Sequence, residues 1–346
     1  MKKTALPVLL IVWSACCVGV FAADDEIRLR PSGRVSGVVR MTSPTEVSVE
    51  MAAGVSKQVS VGEIESIAFA AEPPQLKLVR GAIASRNFEN ALLNLGKIDA
   101  ANVSRAEIKQ DLQFYVALCR SNLALAGNGD IRDAGKLMLA FVDGNKDNYH
   151  YLQGSEILGD LLAAVGAYDK AYERYDAVEK SPWPDHKLRA GIAKGRVLVA
   201  QKKYAEALTA FDKVLADVGQ SKDEKLDKQR LAAILGKAEC MAQMGDFEPA
   251  IKIVEEVVEK ANPEDAELSA RAYVTLGNCY RKKPGGTKSA ILAFLHVDQL
   301  YFSNRDAHAE ALHNLATLWN DIGKPERASQ ATQLLKERYA NSSWAK

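Results

Sequence analysis

One short helical pattern returns three times in the middle of the chain and restricts what this protein can fold into. The copies read VGAYDKAYERYDAV from Val165, QKKYAEALTAFDKV from Gln201 and MGDFEPAIKIVEEV from Met244. In each copy an aromatic residue stands three positions before an alanine, an apolar residue stands four positions after that alanine, and a valine follows three positions later. This spacing places the four residues on one face of an α-helix.

A second small residue precedes each copy and indicates that the helices come in pairs. Gly159, Gly195 and Ala238 each stand twelve residues before the central alanine of their copy. Small residues at both places let two helix backbones approach closely, so each unit is predicted to be a helical hairpin. Stacked hairpins form a solenoid, and a solenoid presents a long concave surface for partners.

The residue types and their spacing resemble the tetratricopeptide repeat family. The unit that begins near Ser155 supplies the small, aromatic and proline positions of that family, namely Gly159, Leu162, Tyr168, Ala171, Tyr175, Pro182 and Pro184. Less regular copies align around Ala91, Ala134, Ala290 and Ala328. The seven central alanines are separated by 43, 37, 36, 43, 40 and 38 residues, each distance longer than the roughly 34 of the ideal repeat.

This resemblance covers the chain from about Gln75 to Tyr339. It implies a mainly α protein in which residues 77–340 form a right-handed α-solenoid of about seven hairpins. An irregular bundle of helical hairpins is the alternative.

The first 22 residues have the features of a signal peptide. Two lysines precede an apolar run from Ala5 to Ala22, which ends in Val-Phe-Ala before polar sequence begins. Signal peptidase accepts such an ending. We therefore expect cleavage near Ala22 and a periplasmic or secreted protein. A retained membrane anchor and a lipoprotein anchored at Cys16 are the alternatives.

Residues 24–70 follow a different period. Five stretches alternate apolar with polar residues and are rich in valine and isoleucine, namely Ile27 to Arg30, Arg34 to Met41, Glu46 to Met51, Lys57 to Val61 and Glu65 to Phe69. Alternation of this kind predicts strands. Five strands with bends at Gly37 and Gly62 are enough for a small barrel. Residues 71–76 then read as a stiff linker.

The order of these strands resembles an SH3-like or Sm-like barrel. Sm-like proteins bind RNA, but Phe69 is the only aromatic residue of the segment and its basic residues are not clustered. Single-stranded RNA requires stacking aromatic and basic side chains. We therefore predict a structural cap or a secondary docking module.

Charge and motif content argue against several functions. The chain has 45 basic and 44 acidic residues and a net charge of +1, so it has no global field for gathering nucleic acid or an anionic membrane. His308 and His313 are five residues apart, which separates them by about 140° around a helix instead of aligning them as zinc ligands. We predict no enzyme, no cofactor and no metal site.

Three cysteines remain after the predicted signal peptide. Cys119, Cys240 and Cys279 each lie in an apolar stretch of a predicted first helix. Cysteine packs as a small apolar residue, and a packed solenoid needs no disulfide, so buried free thiols are expected. A disulfide between Cys240 and Cys279 is the alternative, because both occupy the same place in successive repeats.

The family resemblance also implies which side chains form a protein-binding groove. In tetratricopeptide proteins the first helix of each hairpin lines the concave surface. The corresponding positions here are Gln153, Glu156, Asp160, Arg189, Arg196, Glu239, Asn278, Arg281, His313 and Asn320, and with them Val199, Leu235, Arg271, Glu310 and Thr317.

The predicted groove is mixed in charge. Glu156, Ile157 and Ala193 stand where the chaperone-binding members carry a clamp for a peptide carboxylate, so that clamp is not expected. Equivalent residues of stacked repeats lie in line, and Asp160, Arg196, Glu239 and Asn278 are therefore expected to form one ladder. Each of these residues could equally be ordinary solvent-exposed helix surface.

About the last 60 residues carry a narrower resemblance, to repeats of exported bacterial envelope proteins. YFSN from Tyr301 and YANS from Tyr339 resemble the aromatic and serine break between repeats of the Tol-associated cell-division coordinator and the outer-membrane assembly lipoprotein. The resemblance implies a periplasmic adaptor.

The function predicted from the sequence is that of an exported, non-catalytic scaffold or adaptor. Its partner would be a protein or peptide of the cell envelope, bound in the concave groove during envelope assembly or organisation. We expect no nucleic acid partner and no direct membrane insertion after signal removal. A glycan-binding or glycan-processing envelope protein with accessory repeats is the alternative.

Overall fold

The computed structural model describes residues 24–219, 223–262, 265–340 and 342–345. The predicted signal peptide, its cleavage site and Cys16 lie outside the described residues. Within these ranges no helix combines the length and the apolar character that a membrane span requires.

Five strands open the described chain and form one antiparallel sheet. They are β1 (Asp25–Leu29), β2 (Arg34–Thr42), β3 (Glu46–Glu50), β4 (Ser56–Ser60) and β5 (Ile64–Ala68). The strand order is β4-β3-β2-β1-β5, so the last strand returns to pair with the first. The predicted β segment is therefore confirmed as a five-stranded sheet, while its closer likeness to an SH3-like or Sm-like barrel stays a prediction.

Strand β2 serves both halves of the sheet because it bends at Gly37. The residues up to Gly37 pair with β1, and those from Val38 onward pair with β3. A Cβ atom at Gly37 would lie 2.9 Å from Val49 Cγ1 and would clash with the carbonyl oxygen of Glu50. Glycine is the residue that permits this close approach between strands.

Helices occupy the rest of the described chain and pair into seven consecutive hairpins. They are α1 (Gln75–Ala84) with α2 (Phe88–Leu95), α3 (Ala106–Leu125) with α4 (Ile131–Gly144), α5 (Tyr151–Ala164) with α6 (Tyr168–Glu179), α7 (Pro184–Ala200) with α8 (Tyr204–Val218), α9 (Glu224–Met244) with α10 (Phe247–Lys260), α11 (Ala266–Lys282) with α12 (Thr287–Leu300), and α13 (Arg305–Asp321) with α14 (Pro325–Tyr339).

The repeat frame read from the sequence is confirmed. All seven central alanines lie on the second helix of their hairpin and are at most 3% exposed. A Cβ atom at Gly159 would lie 2.5 Å from Tyr175 Cε1, and one at Gly195 would lie 2.6 Å from Phe211 Cε1. In these two hairpins the first helix therefore offers a glycine to the aromatic ring of the second helix, and this fit fixes the contact between them.

The helices form a curved solenoid with the first helices on the inside. From α3 to α13, each first helix packs against the next first helix as well as its own partner, whereas a second helix packs against the two first helices beside it. Arg86, in the turn after α1, lies 3.9 Å from Glu267 of α11. The curvature thus brings the first hairpin beside the sixth.

The sheet is part of the same hydrophobic core as the first hairpins. Ile27 and Ile67 of the sheet belong to one buried cluster with Leu76 and Phe114 of the helices. In the segment predicted as a linker, Glu72 accepts a hydrogen bond from the backbone N–H of Phe69 at 3.1 Å and pairs with Arg80 of α1. The sheet is therefore packed onto the solenoid.

The three cysteines are buried and free, as predicted. Cys240 and Cys279 do not form the alternative disulfide. Burial raises the pKa of each thiol to about 12, so the thiolate that would react is scarce at neutral pH.

Candidate binding channel

A cleft of about 620 Å³ lies where the β-sheet faces the inner side of the solenoid. The sheet contributes Arg30, Ile64 and Glu65, and the helices contribute residues of α3, α5, α7 and α9. Its volume falls within the roughly 300–1,000 Å³ typical of ligand sites. We call this space the cleft, and we call the row of side chains that continues from it along α5, α7, α9, α11 and α13 the channel.

Trp183 joins the sheet to the solenoid at one wall of the cleft. Its Nε1–H donates to Ser60 Oγ at 3.1 Å, and its ring lies against Gly62, where a Cβ atom would be 2.6 Å from Nε1. The ring of His186 lies 4.9 Å from the ring of Trp183, one turn into α7. A glycine at position 62 is thus needed to leave room for the ring of Trp183, in addition to any bend of the chain there.

At the cleft end of the channel the charged side chains are paired. Arg189 of α7 donates to both carboxylate oxygens of Glu156 of α5, at 2.9 and 3.1 Å, and to Asp185 at 3.1 Å. This two-oxygen arrangement is the strongest geometry for an arginine and a carboxylate. It links two consecutive first helices.

At the far end of the channel the charges are also paired. Arg271 of α11 lies 2.8 Å from Asp306 and 3.4 Å from Glu310 of α13. Asn278 Nδ2 donates to the other oxygen of Glu310 at 2.9 Å. Burial raises the pKa of Glu310, and the nearby Arg271 opposes that shift.

Between these two ends stand two charged residues without a bonded partner. Arg196 of α7 and Glu239 of α9 form no hydrogen bond or ion pair with any side chain or backbone group of the described ranges. They interact electrostatically with each other and with Arg271, and Arg196 also interacts with Asp160. Loss of hydration is the largest influence on both: it lowers the pKa of Arg196 and raises that of Glu239.

Asp160 of α5 completes the centre of the channel. The hydroxyl of Tyr175 donates to its Oδ1 at 2.7 Å. Its side chain is open to water along the channel, but the surrounding walls remove much of its hydration. This desolvation, together with the carboxylate of Glu156, raises the pKa of Asp160 to about 6 against the opposing effects of Tyr175 and Arg196.

The structure brings seven of the ten predicted groove residues into one continuous surface. They are Gln153, Glu156, Asp160 and Arg189 at the cleft, and Arg196, Glu239 and Asn278 along the channel. Arg281 and Asn320 are exposed near the ends of α11 and α13. His313 Nδ1 lies 3.0 Å from the carbonyl oxygen of Trp344, so it holds the C-terminal turn. A binding role for all ten stays a prediction.

Two of the five additional positions predicted for the groove, Leu235 and Val199, do not lie in it. Leu235 is 3% exposed and belongs to the core between α9 and its neighbours, so its assignment to the groove is wrong. Val199 packs against the core of the α7 and α8 hairpin. Both lie on the first helix of their hairpin, and their side chains pack into the core.

Sequence reasoning missed the contribution of the sheet and of the residues before α7. Arg30, Trp183 and His186 line the cleft. The run Ser181-Pro-Trp-Pro could have indicated the role of Trp183. Two prolines restrict the backbone on either side of it at the start of the helix, so its side chain has a fixed direction. In the part of the chain that the structure describes, no three His, Cys, Asp or Glu side chains are grouped as metal ligands.

Comparison with known proteins supports the repeat assignment. Residues 198–272 match a tetratricopeptide repeat family model. A comparison with curated proteins gives no match. A tetratricopeptide repeat protein from Parabacteroides merdae is similar in structure, with a TM-score of 0.54 and 16% identity over 78% of this chain and 96% of that one.

A Rap protein complexed with competence and sporulation factor is also similar. Its TM-score is 0.56 and its sequence is 15% identical, over 78% of this chain and 76% of that one. At these identities the similarity concerns the fold. The helical part of this chain, preceded by its five-stranded sheet, therefore has the fold of tetratricopeptide repeat proteins.

Proposed function

We propose that this protein is an exported, non-catalytic adaptor that holds a segment of a partner protein in the channel. The observation that carries the proposal is the unbonded centre, Arg196 with Glu239, between two fully paired ends. Arg196 is exposed and Glu239 is half-buried, so both charged groups are accessible to a ligand that offers donors and acceptors. A polypeptide supplies both along its length.

The dimensions of the channel suit an extended polypeptide. It crosses the first helices of five consecutive hairpins. Packed helices lie about 8–10 Å apart and an extended chain advances about 3.3 Å per residue, so the channel accommodates roughly ten residues. The similar Rap protein, complexed with competence and sporulation factor, supports the view that a solenoid of this fold can hold a ligand.

An envelope location is part of the proposal. It is supported by the signal-like sequence of residues 1–22 and by the resemblance of the last repeats to exported envelope proteins. The fold is typical of scaffolds whose repeats supply binding surface and no chemistry. This favours an adaptor in envelope assembly or organisation over an enzyme.

Site-specific photocrosslinking in the source cell tests the binding surface. A photoreactive phenylalanine replaces Gln153 in the cleft, and in a control it replaces Glu256 on the outer helix α10. We expect a covalent partner adduct from position 153, and we expect Arg196→Ala with Glu239→Ala to remove it. Adducts that form equally from position 256, or that survive the double substitution, would contradict the proposal.

A further inference from the structure

The charges along the cleft and channel are unbalanced, although those of the whole chain are nearly equal. Apart from Asp223, which has a partner of its own, the cleft is lined by Glu65, Glu156, Asp160 and Asp185 against Arg30 and Arg189. Farther along, the channel adds three carboxylates and two arginines, namely Glu239, Asp306, Glu310, Arg196 and Arg271. Among the described side chains, carboxylates outnumber arginines over the full path.

The local bonding shows which of these charges can take a ligand. Arg189 and Arg271 are already saturated by carboxylates of neighbouring helices. Glu239 has no bonded partner in the ranges described, and the second carboxylate oxygen of Asp160 accepts no hydrogen bond there either. Acceptors are therefore left over at both carboxylates, and of the four arginines named above Arg196 is the one without a bonded partner in the described ranges.

We propose that the segment held in the channel is basic, with lysine or arginine side chains that pair with Glu239 and Asp160. This inference rests on the proposed function and names its ligand class. A cleft lined mostly by one sign of charge concentrates the opposite charge. An ammonium or guanidinium group that reaches a desolvated carboxylate forms a charge-assisted hydrogen bond, which is about twice as strong as a neutral one.

The alternative of an acidic segment is disfavoured by the neighbours of Arg196. Asp160 and Glu239 both act electrostatically on Arg196, as does Arg271, so a ligand carboxylate there would meet two repulsive charges and one further attractive charge. Loss of hydration is the main cause of the raised pKa of Asp160, Glu239 and Glu310, and nearby carboxylates add to it at Asp160 and Glu310. A cationic side chain of a ligand would stabilise the charged form of these carboxylates.

The cleft also favours a ligand that carries an apolar side chain next to its charged ones. Ile64 of the sheet, Ile157 of α5 and Leu226 of α9 line it together. An apolar side chain of the ligand would be buried there, between the sheet and the solenoid. The sheet thus becomes one wall of the binding site, in addition to covering the end of the solenoid.

Three labelled peptides of roughly ten residues, matched to the channel length, test the ligand class. They alternate alanine with lysine, with glutamate or with glutamine, and binding is followed by fluorescence anisotropy near neutral pH in low salt. We expect the lysine peptide to bind at least about tenfold more tightly than the other two, as one bond to a charged group implies. Equal or tighter binding of the glutamate or glutamine peptide, or no binding of the lysine peptide, overturns the proposal.

A matched pair of double variants separates a site from general charge attraction. Asp160→Asn with Glu239→Gln removes two channel carboxylates, and Asp133→Asn with Glu256→Gln removes two from the outer helices α4 and α10. The channel variant should weaken lysine-peptide binding about tenfold, and the control should leave it within about twofold. Equal losses would mean nonspecific attraction and would also overturn the proposal.

Circular dichroism verifies that both double variants are folded. The photocrosslinking experiment at position 153 decides the proposed function independently. If adducts form there while the lysine peptide shows no preference, the ligand class is wrong and the binding surface stands. If neither is seen, both proposals fail.

Discussion

The junction between sheet and solenoid and the centre of the channel use the same kinds of charged groups in opposite ways. Asp25 at the junction is 1% exposed and accepts four hydrogen bonds, from the N–H groups of Val39 and Ala70 and from two nitrogens of Arg105. In the channel, Arg196 is exposed and Glu239 is half-buried, and neither makes such a bond in the described chain. A buried charge with all its bonds made holds the junction together, whereas an accessible charge without a bonded partner is available to a ligand.

The largest effect on stability is expected at the junction. Arg105→Ala leaves the Asp25 carboxylate buried without its cation, and it removes the guanidinium that lies 4.7 Å from the ring centroid of Phe69. Breaking a buried pair costs roughly 3 kcal/mol or more, and the two backbone donors to Asp25 keep the loss toward the lower value. Urea denaturation measures the free energy of unfolding.

An exposed arginine on the same sheet supplies the control. Arg40 of β2 pairs with Glu50 at 2.7 Å, and both side chains are largely exposed. Surface pairs contribute about 0–1 kcal/mol, so Arg40→Ala should have little effect. If Arg40→Ala destabilises the protein as much as Arg105→Ala does, the contrast between junction and surface is wrong.

The next largest effect concerns the packing inside a hairpin. Ala207 of α8 is fully buried, and Ala207→Leu should overpack the contact with α7 and cost about 1–3 kcal/mol. Ala171→Leu in α6 should behave in the same way. Ala216 of α8 is exposed, so thermal melts of Ala216→Leu should match the wild type. An unchanged melting temperature for both buried positions would mean that the alanines do not make the tight contact.

The sequence was sufficient to predict the repeat core because each hairpin is built from local contacts. The pattern around Ala171 and Ala207 is read within one helix, and the glycine partner stands twelve residues earlier. Packing between such neighbours depends on the size of each residue and on its position within the helical turn. Both can be read directly from the sequence. The five strands were predictable for the same reason, since their alternation is local.

The cleft could not be predicted because it depends on contacts between distant parts of the chain. The docking of Trp183 onto Gly62, and the approach of α9 to the sheet, follow from the accumulated curvature of several hairpins. Small rotations between repeats decide that curvature, and no local pattern encodes them. Leu235 shows the same limit, because its position on the first helix did not reveal that its side chain packs into the core.

A smaller effect, with a dependence on pH, is expected at Asp160. Its pKa is raised to about 6 in the folded protein, above the roughly 3.9 of an unfolded chain. The protonated form is thus favoured by folding, and this contribution to stability is present below about pH 4 and is lost as the pH rises through about 6. Asp160→Asn should melt at a higher temperature than the wild type above pH 6.

The same comparison at low pH serves as the internal control. Well below about pH 4 the wild-type side chain is largely protonated and neutral in both states, so the two melting temperatures should converge as the pH falls. The outer variant Glu256→Gln should show no such convergence with pH. A constant difference for Asp160→Asn across the whole range would mean that its carboxylate is not desolvated by the channel.

The smallest effect on stability is expected at the centre of the channel, where the comparison with the junction is sharpest. Arg196→Ala with Glu239→Ala removes two charged groups that make no bond in the described structure, so the free energy of unfolding should change by no more than about 0.5 kcal/mol. Partner capture should nevertheless be lost, because the groups available to a ligand are gone. Urea denaturation and partner recovery are measured on the same preparation. A variant that unfolds as readily as Arg105→Ala would show that these charges stabilise the fold, and a stable variant that retains full capture would place the binding surface elsewhere.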